Sequence, residues 1–481
     1  MGRRRWGRSA VVVAVAGVIA ASVSCSLLIG GFKECTTDGD CAGRASDAGG
    51  GAFNYICGAG NYCLPIDKRC VILGPKTGDA WVWGAIMPKT LATGLPHQWG
   101  PSWESAIDLV VNELNSRIGI HNKPVRVYSC DSQSSTTAAS ELADYLVNTV
   151  KVPVIISDGS GDTIAESRIT IPNNVLLVAG AATSPELTSL PDTPPGGGTV
   201  GLVWRTTPSD ALQAPIIARQ ILDGGSAPPK VFVFYRNDAF GQGLSTLFLG
   251  SYPTTLPDGG PARSSAFVDP TDLSTVNPAL VSAEAFRPEV MVVIGFPAEL
   301  VAIVNGAASH PGLASASWFF TQNAKFPALF SQVDAGAIQG SRGTSPSAGY
   351  DNSGPSIFFR QKFEQTYGVP FNSVVDLSNV YDAAMLVAIA TEYSITKDGA
   401  PNGIRMAEAF TKVSTDGGMG VDLTPINFTT ATSELNAGRE IDIEGASGHL
   451  NFNNAPGEAP ADYDVWKIIG NNFVTQYTVA P

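Results

Sequence analysis

The sequence lacks the short motifs that many hydrolases, metalloenzymes and nucleotide-binding enzymes carry. Its four histidines, His97, His121, His310 and His449, show no H-x-x-x-H or H-E-x-x-H spacing, which argues against a zinc hydrolase. No C-x-x-C pair is present, so a zinc site built on cysteines is not expected. The chain also has no G-x-S-x-G nucleophile elbow and no Walker A loop. We therefore expect no catalytic residue, no metal and no cofactor.

Charged residues are scarce, and the few that occur are mostly acidic. Asp, Glu, Lys and Arg make up 15% of the 481 residues, and the formal net charge is −13. Nucleic-acid binding needs a basic face, so we expect no nucleic-acid partner. Apolar residues make up 44%, enough for two or three domains with large cores. Asp158 and Asp162 could in principle act as an acid/base pair, but we interpret them as solvated loop acids or helix caps. His97 is interpreted as an exposed loop residue.

The first residues have the charge and order of a secretory signal. Four arginines precede the run VVVAVAGVIAASV, which is short for a membrane span of about 20 residues. We assign residues 1–24 to a signal peptide, and Cys25 resembles the lipidated cysteine of bacterial lipoproteins, although Ser22 replaces the usual large aliphatic residue. The alternative to a signal peptide is a single membrane-anchoring helix. The alternative to lipidation is ordinary cleavage near residues 20–22, which would release a soluble secreted protein.

Six further cysteines predict disulfide bonds, because their number is even and they follow a secretion signal. Five of them lie within residues 35–70, in a Gly-rich segment too short for a core of its own. We expect a Cys-rich module and linker over residues 25–76. A Cys70–Cys130 bond would tie this module to the main body, although spacing does not fix the connectivity. The six are Cys35, Cys41, Cys57, Cys63, Cys70 and Cys130.

From Ala80 onward, strands that are apolar throughout alternate with amphipathic helices, a pattern that predicts parallel sheets covered on both faces. The predicted strands are 80–87, 124–128, 152–157, 175–178, 231–235, 290–294, 448–453 and 464–474. The predicted helices include 102–117, 136–150 and 163–169, and S-P-E-L at 184–187 indicates another helix start. The pattern predicts two α/β lobes with more than one crossing between them, one near residues 201–210.

Two successive strands end in small, hydrogen-bonding residues, S-D-G-S-G-D-T at 157–163 and A-G-A-A-T-S at 179–184. Ligands of parallel α/β sheets bind outside the carboxyl ends of the strands. Small side chains let a ligand approach the backbone there, and helix N-termini attract anions. Ordinary turn and capping roles are the alternative.

These segments resemble a known family. The motifs G-P-S-W-E-S-A-I-D-L-V-V-N-E-L-N, V-P-V-I-I-S-D-G-S-G-D-T, V-L-L-V-A-G-A-A-T-S-P-E-L-T, V-F-V-F-Y-R-N-D-A-F-G-Q-G and V-Y-D-A-A-M-L-V-A-I-A follow in its order. Over residues 78–481 the chain resembles type I periplasmic binding proteins, in particular the leucine/isoleucine/valine-binding proteins of amino-acid ABC importers. The resemblance implies an α/β clamshell of two doubly wound parallel-sheet lobes joined by a hinge. We expect lobe I at 77–205 plus 342–452, and lobe II at 206–341 plus 453–481.

The resemblance also implies the ligand-binding residues. Carried over by position, the ligand's carboxylate would be held by Ser160, Ala181 and Thr183 of the first lobe. Aromatic contacts would come from Trp99, Phe240 and Phe296. Asn323 would contact the ligand from a strand-end segment of the second lobe.

This strand-end segment of the second lobe departs from the family pattern. The segment W-F-F-T-Q-N-A has Gln322 and Asn323 where an acid usually pairs with the ligand's ammonium. Either Glu299 or Asp238 substitutes, or the ligand is not a simple α-amino acid, because a buried ammonium without a partner is costly.

The resemblance implies an extracytoplasmic solute-binding lipoprotein in the periplasm or cell envelope. Its partners would be a small amino acid or amino-acid-like carboxylate, an ABC transporter permease, and a membrane through the lipid anchor. A ligand-sensing receptor that reports to a signalling partner is the first alternative, motivated by the extra Cys-rich segment. A secreted hydrolase is a minor one.

Overall fold

The structure is a computed structural model that describes most of the chain after residue 53. It describes residues 54–57, 63–66, 69–91, 93–195, 198–223, 225, 227–347, 353–414, 417–454 and 457–481, the first two ranges by their backbone alone. The predicted signal peptide, Cys25, Cys35 and Cys41, and the side chains of Cys57 and Cys63, lie outside this description. Within it, no helix is both long enough and apolar enough to cross a membrane.

The first part of the chain builds a hairpin and then a six-stranded sheet. Its strands are β1 (Asn54–Cys57), β2 (Cys63–Ile66), β3 (Cys70–Leu73), β4 (Trp81–Met87), β5 (Val125–Asp131), β6 (Val154–Ser157), β7 (Leu176–Ala179) and β8 (Val203–Arg205). β1 and β2 form the antiparallel hairpin. The sheet has the order β3-β5-β4-β6-β7-β8, parallel except for the antiparallel edge strand β3. Its first helices are α1 (Gly100–Asn115), α2 (Thr136–Asp144) and α3 (Ser160–Thr170).

The middle of the chain forms most of the second lobe. Its strands are β9 (Val231–Arg236), β10 (Arg263–Val268), β11 (Val290–Ile294), β12 (Ser317–Phe320) and β13 (Arg342–Pro346). Its helices are α4 (Asp210–Leu222), α5 (Ala239–Ser251), α6 (Val276–Phe286), α7 (Pro297–Ala307) and the short α8 (Leu329–Gln332). These strands pair in parallel, as the apolar runs at 231–235 and 290–294 predicted for β9 and β11. β10, β12 and β13 were not predicted.

The last third of the chain returns to the first lobe and then crosses again to the second lobe. The returning elements are α9 (Gly354–Tyr367), α10 (Leu377–Asp398), α11 (Gly403–Phe410), α12 (Phe428–Asn436) and the two-stranded pair β14 (Met419–Asp422) and β15 (Ile441–Glu444). The hairpin β16 (Tyr463–Ile469) and β17 (Asn472–Val479) then completes the second sheet, with the order β10-β9-β11-β12-β13-β16-β17. The predicted two-lobed α/β architecture is confirmed.

Amphipathic patterning explains how the helices cover the first sheet. The α1 residues predicted to form one stripe, including Trp103, Ile107 and Val110, are buried in the core of the first lobe. α10 is buried along almost its whole length, because A-A-M-L-V-A-I-A is apolar on every side, and it packs in the same core.

Three chain segments cross between the lobes side by side. The first follows β8, the second follows β13, a few residues later than the expected boundary at 341, and the third precedes β16. The amide of Arg205 donates to the carbonyl of Gly457 at 2.9 Å, and the buried guanidinium of Arg205 pairs with Glu458. The amide of Ser347 donates to the carbonyl of Asp462 at 2.7 Å. The crossings therefore form one bonded unit.

Three local predictions were wrong. Residues 448–453 form isolated bridges rather than a strand, and the turn before them donates the amides of Ala446 and Ser447 to buried Asp382. S-P-E-L leads only to a short 3₁₀ turn, since Leu190 precedes a proline and is extended. The predicted strand 464–474 is a hairpin that turns at Gly470, whose φ of 60° suits glycine.

The disulfide between Cys70 and Cys130 joins β3 to β5, as the sequence suggested. The two cysteines are separated by 60 residues, and both are buried beneath the edge of the first sheet. The bond thus fastens the segment that follows the N-terminal hairpin to the first lobe.

Replacing both Cys70 and Cys130 by alanine should lower the free energy of unfolding of the first lobe. A disulfide that closes a long loop contributes about 2–4 kcal/mol, chiefly by restricting the unfolded chain. Urea unfolding followed by tryptophan fluorescence measures the change. A midpoint and slope equal to those of the wild type would contradict a stabilising role.

Candidate functional site

The carboxyl ends of β6 and β7 lie next to each other in the first sheet. The two strands are parallel, with Ser157 opposite Ala179. The amide of Gly180 donates to the carbonyl of Ser157 at 3.0 Å, and the amide of Ser184 donates to Oγ of Ser160 at 3.1 Å. The two small-residue segments identified in the sequence therefore form one continuous surface.

Two glycines allow this close arrangement. Gly159 has a φ of 90° immediately before α3, a conformation that L-residues rarely adopt. A Cβ at Gly180 would lie 2.7 Å from the side chain of Val380 on α10 and 2.9 Å from Oδ1 of Asp158. Glycine at position 180 therefore lets α10 pack directly beneath the strand ends.

A cavity of about 150 Å³ lies between these strand ends and the second lobe. All seven residues that the sequence predicted as ligand-binding line it. The first lobe contributes Trp99, Ser160, Ala181 and Thr183, and the second contributes Phe240, Phe296 and Asn323. The structure brings these residues together, and their contact with a ligand stays a prediction.

The polar groups of the first lobe differ in what they can offer a ligand. Oγ of Ser160 accepts the amide of Ser184, which leaves the hydroxyl proton for another acceptor. The hydroxyl of Thr183 donates to Oδ2 of Asp210 at 3.0 Å, so its free donor is the backbone N–H, which has no acceptor among the described residues. Nε1 of Trp99 is likewise buried without a described acceptor.

Aromatic side chains close the cavity from both lobes. Trp99 meets Phe296 edge to face at 5.8 Å between ring centroids, and Phe240 stacks on Phe296 at 5.6 Å. Trp99 is 1% exposed and Phe240 is 4% exposed. Because Trp99 and Phe296 belong to different lobes, the structure has the closed arrangement.

Arg236 is a cavity residue that the sequence reasoning missed. Its guanidinium lies 4.4 Å from the ring centroid of Phe296, pairs with Asp238, and donates to Oε1 of Glu299 at 2.6 Å. Burial would lower the pKa of Arg236, but the two carboxylates outweigh it and the pKa is raised. Arg236 is the last residue of strand β9, so the strand-end rule applied to this lobe would have found it.

Arg236 also forms ion pairs with Asp238 and Glu299, the two acids that the sequence analysis considered as partners for a ligand's ammonium group. Asp238 pairs with it and accepts the amide of Gly241 at 2.9 Å as a helix cap. Glu299 is 2% exposed, pairs with Arg236 and accepts the amide of Phe296 at 2.9 Å. The geometry does not favour either carboxylate as the partner of a ligand cation.

His97 is buried, contrary to the interpretation of it as an exposed loop residue. It is 8% exposed, and its Nδ1 accepts the amide of Gly100 at 3.1 Å at the start of α1. Burial, with the positive charge of Arg236 as a second cause, lowers the pKa of His97 to about 4. The imidazole is therefore neutral near pH 7 and helps fix the loop that carries Trp99.

Asp158 and Asp162 are also buried, so the interpretation of them as solvated acids was wrong. Asp158 is fully buried at the end of β6, and burial, followed by the negative charge of Asp376, raises its pKa well above the usual range. Burial raises the pKa of Asp162 to about 6, although Oγ of Ser132 donates to it at 2.5 Å. The second lobe and α10 cover these strand ends, which local sequence could not reveal.

A second cavity, of about 480 Å³, lies behind the first, on the side of the crossing segments. Its lining includes Thr206, Ser347 and Ala459 near the three crossings. Gln322 and Asp376 line both cavities. In the described part of the chain, no group of three or more His, Cys, Asp or Glu is placed to hold a metal ion.

The buried acids predict that the folded protein loses stability as pH rises. Burial raises the pKa of Asp210 to about 7 from an ordinary value of 3.8, so the folded state keeps a proton that the unfolded state has released. Stability from this group is complete below about pH 4 and is lost as pH rises through 7. We expect a lower free energy of unfolding at pH 8 than at pH 5, measured by urea unfolding.

The variant Asp210→Asn should flatten this pH dependence, whereas the exposed Asp334→Asn should leave it as in the wild type. Equal pH profiles for the wild type and Asp210→Asn would contradict the assignment.

The fold and the site can be compared with known proteins. A family model described as periplasmic binding protein matches residues 84–437. The chemotactic signal transduction system substrate-binding protein BasB of Halobacterium salinarum is 26% identical over 365 residues, 73% of this chain and 78% of that protein. The Leu/Ile/Val-binding protein of Escherichia coli is 26% identical over 148 residues, 31% of this chain and 38% of that protein.

Solved structures share the fold at low sequence identity. The leucine-binding protein LivK of Thermotoga maritima has a TM-score of 0.64 at 20% identity, with 83% of this chain and 99% of that chain covered. A solute-binding protein of an ABC transporter from R. palustris, solved with benzoate, has a TM-score of 0.62 at 14% identity, with 84% and 97% covered.

The family resemblance inferred from the sequence is thus confirmed, and the hydrolase alternative is not retained because this is a family of solute-binding proteins rather than enzymes. Membership also implies a location outside the cytoplasm. Because the family model spans more than half of its length, the chain belongs to the periplasmic binding protein family.

Proposed function

We propose that this protein captures an amino acid or amino-acid-like carboxylate between its two lobes and delivers it to an ABC importer. The observation that carries the proposal is the composition of the small cavity. Hydroxyl and N–H donors at two strand ends of one lobe face aromatic rings of the other lobe. Such a cavity suits a ligand with one anionic end and an apolar body.

The carboxylate would be held at the carboxyl edge of the first sheet. The hydroxyl of Ser160, at the first residue of α3, and the N–H of Thr183 are donors without another described acceptor. The N-terminus of α3 adds its positive dipole end. The carbonyl of Ala181 lies beside them as an acceptor.

The apolar part of the ligand would contact Trp99, Phe240 and Phe296. At about 150 Å³ the closed cavity is smaller than the roughly 300–1,000 Å³ pockets that take drug-sized ligands. A single small molecule such as a free amino acid fits this scale better than a peptide. Asn323 would add a polar contact from the second lobe.

Two features of the proposal come from the N-terminal sequence. The signal-like residues 1–24 and Cys25 support export and lipid anchoring, which would keep the protein at the membrane that holds its permease. Solved structures that share its fold are named as solute-binding proteins of ABC transporters, which supports the importer role.

A sensory role is the second candidate. The relative BasB is named for chemotactic signal transduction, and 73% of this chain aligns with it. The added Cys-rich segment, fastened to the first lobe through Cys70, would serve as a contact for a signalling partner. Both roles use the same ligand-binding step.

Ser160→Ala should weaken ligand binding without unfolding the protein. A hydrogen bond to a charged group contributes about 1.5–3 kcal/mol, which corresponds to roughly a 10- to 100-fold loss of affinity. A thermal-shift screen with amino acids and aromatic acids identifies the ligand, and titration calorimetry then compares the variant with the wild type. Thr183→Ala should keep most affinity, because its backbone N–H remains.

The exposed Ser282→Ala, on the outer surface of α6, serves as the matched control and should bind as the wild type does. If Ser160→Ala binds the ligand as tightly as the wild type, the carboxylate site is misassigned.

Transport and sensing can be separated in the native organism. Deleting the gene should abolish uptake of the labelled ligand if the protein serves an importer, and restoring the wild-type chain should rescue it. Unchanged uptake together with a lost response to the ligand would favour the sensory role instead.

A further inference from the structure

Asp376 stands immediately before α10 and lines both cavities. Its φ of 57° lies in the left-handed region, which few residues other than glycine adopt. An aspartate before a helix normally accepts an N–H of the first turn, but Asp376 makes no such bond. Non-glycine residues in this region cluster at functional sites, and the carboxylate of Asp376 does not cap the helix.

The backbone on either side of Asp376 is held firmly. Nε1 of Trp103 donates to the carbonyl of Val375 at 2.8 Å. Asn379 and Thr206 exchange two hydrogen bonds, of 2.7 and 2.8 Å, between α10 and the first crossing segment. The carboxylate is therefore presented to the cavity from a fixed position close to the hinge.

Asp376 lies near two buried acids and forms no ion pair with a cation of the described residues. The charge of Asp376 acts on the buried carboxyls of Asp158 and Asp210 and raises the pKa of both. Arg205 pairs with Glu458, and Arg236 pairs with Asp238 and Glu299. Lys325 and Arg360 line the larger cavity together with Asp376, but neither forms a described ion pair with it. Burial raises the pKa of Asp376 itself to about 7, with no described hydrogen bond to offset it. A cation brought by a ligand would give the carboxylate of Asp376 a charged partner.

We propose that Asp376 supplies the carboxylate that pairs with the ammonium group of an amino-acid ligand. It would take the place of the acid that is missing from the second lobe, where Gln322 and Asn323 stand. The ligand would then lie between Ser160 at its carboxylate end and Asp376 at its ammonium end. This inference rests on the proposed function.

A purely structural role makes a different prediction. A negative charge at the N-terminus of α10 favours the helix dipole. In that case the loss of the charge changes the stability of the first lobe but leaves the choice among ligands unchanged.

The test compares amino acids with the same molecules lacking the amino group. Titration calorimetry on the full mature chain measures L-leucine against 4-methylpentanoate, and L-phenylalanine against 3-phenylpropanoate. The wild type should bind at least one amino acid about tenfold or more tightly than its deaminated partner. Asp376→Asn should lose that preference, with the affinity for the deaminated acid unchanged or improved. Asp376→Glu should keep it, and the exposed Asp258→Asn should match the wild type.

The possible results separate the two proposals. If Asp376→Asn keeps the wild-type preference while Ser160→Ala binds weakly, the assignment of Asp376 is overturned and the proposed function stands. If the wild type binds neither amino acids nor their deaminated partners, both fail. Should Asp376→Asn not fold, the wild type still decides, because equal affinity for the two members of each pair would rule out an ionic contact with the ammonium group.

Discussion

The parallel pairing of β6 with β7 is the constraint on which the site depends. Parallel strands that leave a sheet at the same edge bring their following segments together, and here the register sets Ser157 opposite Ala179. Ser160 and Thr183 then share one surface, the N-terminus of α3 points toward it, and α10 packs beneath it because position 180 is glycine. A shift of register between these strands would separate the proposed carboxylate donors, whatever the second lobe contributed.

Electrostatics gives the two lobes different tasks. The second lobe brings one arginine to the cavity, and this arginine is held between two carboxylates, so the lobe offers mainly aromatic surface. The first lobe carries buried acids with raised pKa values together with hydroxyl and amide donors. Under the proposed function, a charged ligand would therefore be recognised chiefly by the lobe that contains α10, while the other lobe would exclude water and add ring contacts.

Much of this arrangement followed from local pattern. Apolar strands alternating with amphipathic helices predicted the architecture, and small residues after buried strands located Ser160 and Thr183 on the cavity wall. What failed depended on distant contacts. Burial of Asp158 and Asp162 results from the second lobe and α10 covering them, and the role proposed for Asp376 depends on a left-handed backbone that no motif signals. The final hairpin was missed although Gly470 and Asn471, between two apolar stretches, are residues that favour a turn.

The place of the disulfide has a mechanical consequence. β3 forms one edge of the first sheet and β8, which leads into the first crossing, forms the opposite edge. A force applied to the chain before Cys70 would be shared between the disulfide and the pairing of β3 with β5, both of which belong to the first lobe. The load would therefore enter the first lobe away from the three crossing segments, so under the proposed function an anchored molecule would keep its two lobes free to open and close.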